Sequence, residues 1–259
     1  MIRMFQRLLF AGPMACLVCG AWLVAAPARA DDDAKKVVDA AIKAHGGAEK
    51  LAKLKDKAII QKGKMKIYTM GLEIDSTMEI RATGKKFRQD IKFALMGMNF
   101  DQNAVYDGKE MWITVNGAVI ATLDKKEDLE MLAEMIHAEE AASLALLGSK
   151  DIELSIIGED KVGDTPVIGV RVTKKGRKDV NLYFDKKTHM LKKVENRGID
   201  FLSRQEVADE KIFDGYKETE GVKQPSKLTM NRDGKKYIEY EITEVEVTDK
   251  LDDSIFKKP

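Results

Sequence analysis

The stretch GLEIDSTMEIRATGKKFRQDIKF, residues 71–93, decides how this chain is read. Leu72, Ile74, Met78 and Ile80 alternate with Glu73, Asp75, Glu79 and Arg81. Phe87, Ile91, Phe93 and Leu95 then alternate with Arg88, Asp90 and Lys92. A period of two with one apolar and one charged face is the mark of antiparallel strands buried on one side only. Thr83-Gly84-Lys85 supplies the turn between the two runs. The question it sets is what the apolar face meets: the protein's own core alone, or also something the protein carries.

The pattern extends in both directions. Upstream, Met65 and Ile67 share one phase from about Lys57 onward. Downstream, short strands are expected at Phe100–Tyr106 and Met111–Val115, with Asn116-Gly117 as a two-residue hairpin turn, since both residues accept positive φ. Ala94–Phe100 is apolar on both phases and broken by Gly97, and reads as a bent strand at a cavity mouth. After residue 150, strands are expected at 152–157, 166–173, 180–184, 190–196, 204–216, 223–230 and 236–247. In the last of these, Ile238, Tyr240 and Ile242 hold one phase and Val245 and Val247 the other, so a bulge is expected near Thr243.

Two segments have helical spacing. Asp31–Asp33 place negative charge at a helix start, Val37, Val38, Ala41 and Ile42 form its apolar stripe, and Gly46-Gly47 end it. A short helical piece, Ala48–Leu54, follows. The second helix is expected over Asp124–Gly148, capped by Asp124 and ended by Gly148. Its wide stripe of Leu129, Met131, Leu132, Met135 and Ile136 points to burial against a large surface. Strands joined by tight turns favour an up-and-down meander curling on itself, and these helices are well placed to cover its concave side.

The start of the chain reads as an export signal. Arg3 and Arg7 precede an apolar run, Leu8–Ala26, and Ala28-Arg29-Ala30 fits a cleavage site, so residues 1–30 are expected to be a cleaved signal peptide and residues 31–259 one domain in the periplasm. Both cysteines, Cys16 and Cys19, fall in that leader, which removes disulfides, thiol catalysis and cysteine metal sites from the exported part. Lys and Arg number 44 against 43 Asp and Glu, a balance without the basic footprint of a nucleic-acid binder.

Catalytic signals are weak. His45, His137 and His189 lie far apart, and all three read as structural, His45 as a cation beside a helix end. His137 and Glu140 share a helix face without further ligands, and Glu139-Glu140 reads as the solvated edge of that helix. GEDKVGDTP, residues 158–166, is a surface turn rather than a calcium loop. No nucleophile, phosphate-loop or dinucleotide motif occurs. No metal, cofactor or enzymatic activity is expected. Methionines spread over the strands and the long helix could repack around ligands of varied shape, although ordinary core filling accounts for them as well.

Several segments resemble the LolA/LolB-like family of periplasmic proteins, in its branch of outer-membrane lipoprotein-sorting proteins. They are AIKAHGGAEKLAKLK (41–55), YDGKEMW (106–112), YFDKKTHMLKKVE (183–195), GVKQPSKL (221–228) and the closing LDDSIFKKP (251–259). The resemblance implies a mainly β, α+β fold: a strongly curved antiparallel sheet of about a dozen strands, an unclosed half-barrel, with helices covering the concave face. It further implies a carrier or binder of lipid or lipoprotein acyl chains, with inner- or outer-membrane protein partners, a monomer without nucleic-acid partners. The alternative is a non-catalytic envelope interaction or stress-sensing module whose core is filled by its own side chains. The expected cavity wall is Leu72, Ile74, Met78, Ile80, Phe87, Ile91, Phe93, Leu95, Met111 and Ile113 from the strands, with Leu132, Met135 and Ile136 from the lid helix.

Overall fold

The structure is a computed structural model and describes residues 28–84, 86–200 and 203–258. The expected leader therefore lies, up to residue 27, outside the described residues, as does Lys85 of the expected turn. Among the described residues no helix is long and apolar enough to cross a membrane.

Helices α1 (Ala28–Ala44) and α2 (Ala48–Lys55) come first. Six strands follow: β1 (Ala58–Thr69), β2 (Leu72–Thr83), β3 (Lys86–Leu95), β4 (Met98–Tyr106), β5 (Met111–Val115) and β6 (Ala118–Leu123). Helix α3 (Lys126–Ala142) interrupts them. The chain then forms β7 (Ile152–Val162), β8 (Thr165–Lys174), β9 (Val180–Asp185), β10 (Leu191–Ile199) and β11 (Glu206–Asp214). A small hairpin of β12 (Lys217–Thr219) and β13 (Val222–Gln224) precedes β14 (Lys227–Arg232), β15 (Lys235–Thr248) and a closing 3-10 turn, Asp253–Phe256.

Thirteen strands make one open antiparallel sheet in the order β6-β5-β4-β3-β2-β1-β15-β14-β11-β10-β9-β8-β7. Each half is a meander, as the tight turns require. The halves are joined by β1 and β15, the first and last strands, with Met65 opposite Tyr240. The two free edges, β6 and β7, are consecutive in the chain, and α3 runs between them. This is the curved, unclosed half-barrel that the resemblance implies.

The expected bulge is present. Lys62 faces Glu244 and Gly63 faces Ile242, so Thr243 is the extra residue, its hydroxyl donating to the Lys62 carbonyl at 3.2 Å. Several boundaries differ from expectation. Residues 158–162 continue β7, so Gly163-Asp164 alone is left to turn into β8. The strand expected at 223–230 is broken at Pro225-Ser226 into β13 and β14. Lys125, not Asp124, stands at the N-cap of α3, and α1 already runs from Ala28. Helix α3 ends at Ala142, not Gly148, because Leu144 takes a left-handed conformation (φ 62°) that turns the chain and buries Leu144 and Leu147. Residues 94–100 form the tight β3–β4 hairpin through Met96-Gly97 rather than a bent strand. Doubled apolar phases arise there because a turn, not a kink, separates the two strands.

The main core lies under the second half of the sheet. Ala34, Val38 and Ala41 of α1 and Ala138 and Ala141 of α3 pack on Val170, Val172, Leu182, Phe184 and Val194. The C-terminal end of α1 docks on the small hairpin: Lys223 donates its amide N–H to the His45 carbonyl at 2.9 Å. Gly46 (φ 125°) sits so close to Gly221 that a Cβ would stand 2.3 Å from that carbonyl oxygen.

Candidate functional site

Residues paired across antiparallel strands project to the same face. The register therefore places Leu228, Tyr240, Met65, Ser76, Phe93 and Phe100 in one row across β14, β15, β1, β2, β3 and β4. The same face carries the row Gly63, Met78 and Ile91, and beyond it Ala82, Phe87, Tyr106, Met111 and Leu123.

Helix α3 covers the far end of this face. Its Leu129, Met131, Leu132 and Met135 pack with Phe87, Ala104, Tyr106, Met111, Ile113 and Leu123. It is also tied to the second half of the sheet. Asp128, buried, pairs with Arg204 at 2.5 Å; Glu134 accepts the Lys178 amide at 2.9 Å; Glu139 pairs with Lys211. Glu139 is thus an anchoring side chain and not only a solvated edge. The helix spans both halves of the sheet, with apolar contacts to the first half through Leu129–Met135, to the second half through Ala138 and Ala141, and ion pairs beside them.

The near end of the face is not covered by α3. Met65, Met78 and Tyr240 are buried there among Ile67, Ile80, Ile91, Leu228, Ile238 and Ile242, all of them strand residues. Beside them is a groove of about 1010 Å³, lined by the row Leu228, Tyr240, Met65, Ser76, Phe93 and Phe100 and by charged residues that alternate with it, among them Lys64, Lys66, Lys92 and Glu239. Phe93 and Phe100 stack at 5.1 Å and form one wall. The Ser76 hydroxyl donates to the Met65 carbonyl at 2.9 Å, so it brings no free donor to the groove floor. Burial pushes the Tyr240 hydroxyl up to about 12, keeping it neutral.

The thirteen residues of the expected wall divide between these regions. Phe93 lines the groove. Ile74, Met78, Ile80 and Ile91 lie beside it on the same face, with Ile74 paired to Ile67. Phe87, Met111, Ile113, Leu132 and Met135 form the cluster under α3. Leu95 pairs with Met98 at the β3–β4 tip, and Leu72, 43% exposed, stands at the β1–β2 tip. Ile136 is half-buried on α3. Sequence reasoning missed Met65, Tyr240, Leu228 and Phe100 as groove residues. Their phase was visible; that β15 lies against β1 was not, because that pairing joins residues 175 positions apart, Met65 and Tyr240.

The other face of the first half is polar and stapled. Asp90 accepts from Arg81 (2.6 Å), Arg88 (2.9 Å) and Asn103 (2.6 Å). Burial opposes its charge, but these partners hold the carboxyl below the usual carboxylate range. Next to them Trp112 and Val105 are sealed by Phe256 of the closing turn. His45 is a buried structural residue, and its surroundings favour the neutral ring rather than a cation: its Nδ1 lies 2.8 Å from the Ala41 carbonyl, and the Leu191 amide points at Nε2. Burial lowers its pKa. Among the described residues no group of three or more His, Cys, Asp or Glu could hold a metal ion.

No protein-family model matches the chain, and no curated protein matches it. Solved structures do. A DUF1329 family protein from Desulfovibrio piger superposes with a TM-score of 0.54 at 13% identity, over 86% of this chain and 97% of that one. A LolA superfamily protein from Nitrosomonas europaea superposes with a TM-score of 0.50 at 11% identity, over 87% of this chain and 97% of that one. At such identities the likeness speaks for the fold alone, which this chain shares with these two proteins.

Proposed function

We propose that this protein is a non-enzymatic periplasmic carrier that holds the acyl chains of a lipid or lipoprotein in the groove between β14 and β4, with lipoprotein sorting to the outer membrane as its setting. One observation carries the reading: about 1010 Å³ of space beside a face of aliphatic and aromatic side chains, at the end of the sheet that α3 leaves open. That volume suits a small-molecule cleft. Each methylene buried there contributes about 0.8 kcal/mol, so hydrocarbon binds without a strong polar anchor. The cavity wall is then Met65, Phe93, Phe100 and Tyr240, continued by Ile74, Met78, Ile80 and Ile91. Movement of α3 would extend the space toward Phe87, Met111 and Ile113. The LolA superfamily fold supports this setting, and membrane proteins that deliver or accept the cargo are the partners it calls for.

A second reading has an observation of its own. Met65 is 2% and Tyr240 5% exposed without any helix over them, so this part of the face is already filled by its own side chains. On that reading the protein is an envelope interaction module. Uptake of a fluorescent fatty acid, with native mass spectrometry of protein purified from its own envelope, separates the two. A carrier shows bound lipid and saturable uptake, and Phe93→Glu weakens uptake at least about tenfold, since a carboxylate on the wall must lose its hydration. Absence of both lipid and uptake would leave only the interaction module.

A further inference from the structure

The tips of three successive hairpins stand at one end of the first half-sheet. The β1–β2 turn is Met70-Gly71, the β3–β4 turn Met96-Gly97 and the β5–β6 turn Asn116-Gly117. Relative to the groove row, these tips project by about five, three and zero residues, an even stagger that fits strands tilted in a curled sheet. Met70 is 91% and Met96 86% exposed, and Leu72, Met98, Val119 and Ile120 are exposed beside them. Residues 67–72, 93–100 and 111–123 contain no charged residue, in a chain that is 34% charged. The turns at the opposite end of the same strands are charged, as in Asp107-Gly108-Lys109-Glu110.

Ordinary turn chemistry does not explain the methionines. Both hold positive φ (49° and 52°), a conformation in which Asn, Asp or Gly is favoured and a long side chain is strained. The chain uses the favoured residues at Asn116-Gly117 and Asp233-Gly234, and a long charged side chain at Glu220-Gly221. What sets Met70 and Met96 apart from Glu220 is that they are apolar side chains with almost their whole surface in water, the reverse of what folding alone selects.

We propose that these three tips are a membrane-docking face, inserted into the boundary between headgroups and hydrocarbon of a lipid bilayer. The β1–β2 and β3–β4 hairpins suit this task because their strands are paired on both sides within the sheet and enter an apolar layer without orphaned donors, while the β5–β6 tip, which carries the free edge β6, projects least and stays at headgroup level. The charge pattern sets the depth. Lys66 and Lys92 each lie four residues before their tip methionine, and Lys66 pairs with Glu73, three residues after Met70, and lies 3.8 Å from Asp75. Four residues are about 13 Å along a strand, less once the strand tilts, so this charged collar stops at headgroup level, where Lys92 is the ammonium offered to lipid phosphates. The groove wall of Phe93 and Phe100 opens directly behind the Met96 tip, so a protein seated in this way presents its groove to the bilayer. A protruding, staggered set of tips fits a deformable layer better than a flat protein face. Docking does not depend on the groove being a lipid site.

The test is co-sedimentation with vesicles of phosphatidylethanolamine containing phosphatidylglycerol as the minor component. The chain is used from Ala28 onward, which holds every described helix, strand and core residue, so that the apolar stretch Leu8–Ala26 does not itself carry it to the membrane. The decisive variant is Met70→Asn with Met96→Asn, because asparagine relieves the positive φ and keeps the turns. Vesicle partitioning should fall at least about tenfold, with melting temperature unchanged or raised, and binding of the unaltered chain should persist at high salt. Fatty-acid uptake by the same variant without vesicles reads the groove separately and should be unaffected. The proposal is overturned if the unaltered chain does not partition, if the variant partitions equally, or if salt alone abolishes binding. It is overturned equally by a dimer that the variant dissociates, which would make the tips a contact between copies.

Discussion

His45 shows how one buried side chain couples the fold to pH. Its neutral ring lies between the Ala41 carbonyl and the Leu191 amide, with Tyr216 edge-on at 5.6 Å. Burial lowers its pKa, and burial also lowers that of His137 on α3, whose Nε2 has no partner within the protein. The unfolded chain binds protons at these sites near the ordinary histidine value of about 6.5, and the folded chain does so only at lower pH. Stability contributed by the neutral rings is therefore complete above about 6.5 and lost as pH falls below it. Urea unfolding should give a lower midpoint at pH 5.5 than at 7.5, and His45→Gln with His137→Gln should remove most of that difference. Carboxylates held low, such as Asp90, act in a more acidic window and do not mask the effect. The sequence shows a histidine next to a helix-ending glycine pair and suggests a structural residue there, a cation suiting the helix end. What it does not show is that β10 and Tyr216 close over the ring, contacts that join positions 45, 191 and 216.

At the scale of elements, the β1–β15 pairing holds the two halves of the sheet together, and Gly63 is its tightest point. A Cβ on Gly63 would stand 2.3 Å from the Glu241 carbonyl oxygen and 2.6 Å from the Tyr240 ring, which lies across the glycine. The bulged Thr243 sits beside it and shifts the phase of β15. Gly63→Ala should cost about 1–3 kcal/mol, measured by chemical unfolding, because neither a backbone oxygen nor a packed ring can yield cheaply. Gly71→Ala meets no neighbour within 4 Å and serves as a control for the turn alone. The strands themselves were legible. Alternation in β2 and β3 fixed their faces, and the change of phase at Thr243 located the bulge before any partner strand was known. The end of α3 was not legible, because helical apolar spacing continues through Leu144 and Leu147 while the backbone has already turned. Those leucines are buried by core contacts beside β7, and burial looks the same in sequence whether a helix or a loop delivers it.

At the scale of the whole molecule, two straps act on opposite faces of one sheet. Helix α3 joins the free edges on the inner face, and the closing turn seals the outer face through Phe256 on Trp112. Trp112 is the one tryptophan from Ala28 onward, so its emission reports the outer strap alone. Phe256→Ala should shift that emission to the red and cost about 3 kcal/mol, leaving the circular-dichroism signature of the sheet in place. The general architecture was legible because most turns and strand faces have a local cause; the short edge strand β6 and the break between β13 and β14 did not show in the alternation. The open groove was not, since empty space is left by the curvature of strands that meet only through the β1–β15 junction. That junction also has a consequence in time. Strand β15 is the last strand of the sheet to be synthesised, and until it arrives β1 lacks one neighbour and β14 has only β11. The nascent chain cannot complete its sheet residue by residue as it emerges. It must wait, with apolar strand faces uncovered, for its final strand, so it will depend on escorts that keep long unfinished chains from aggregating.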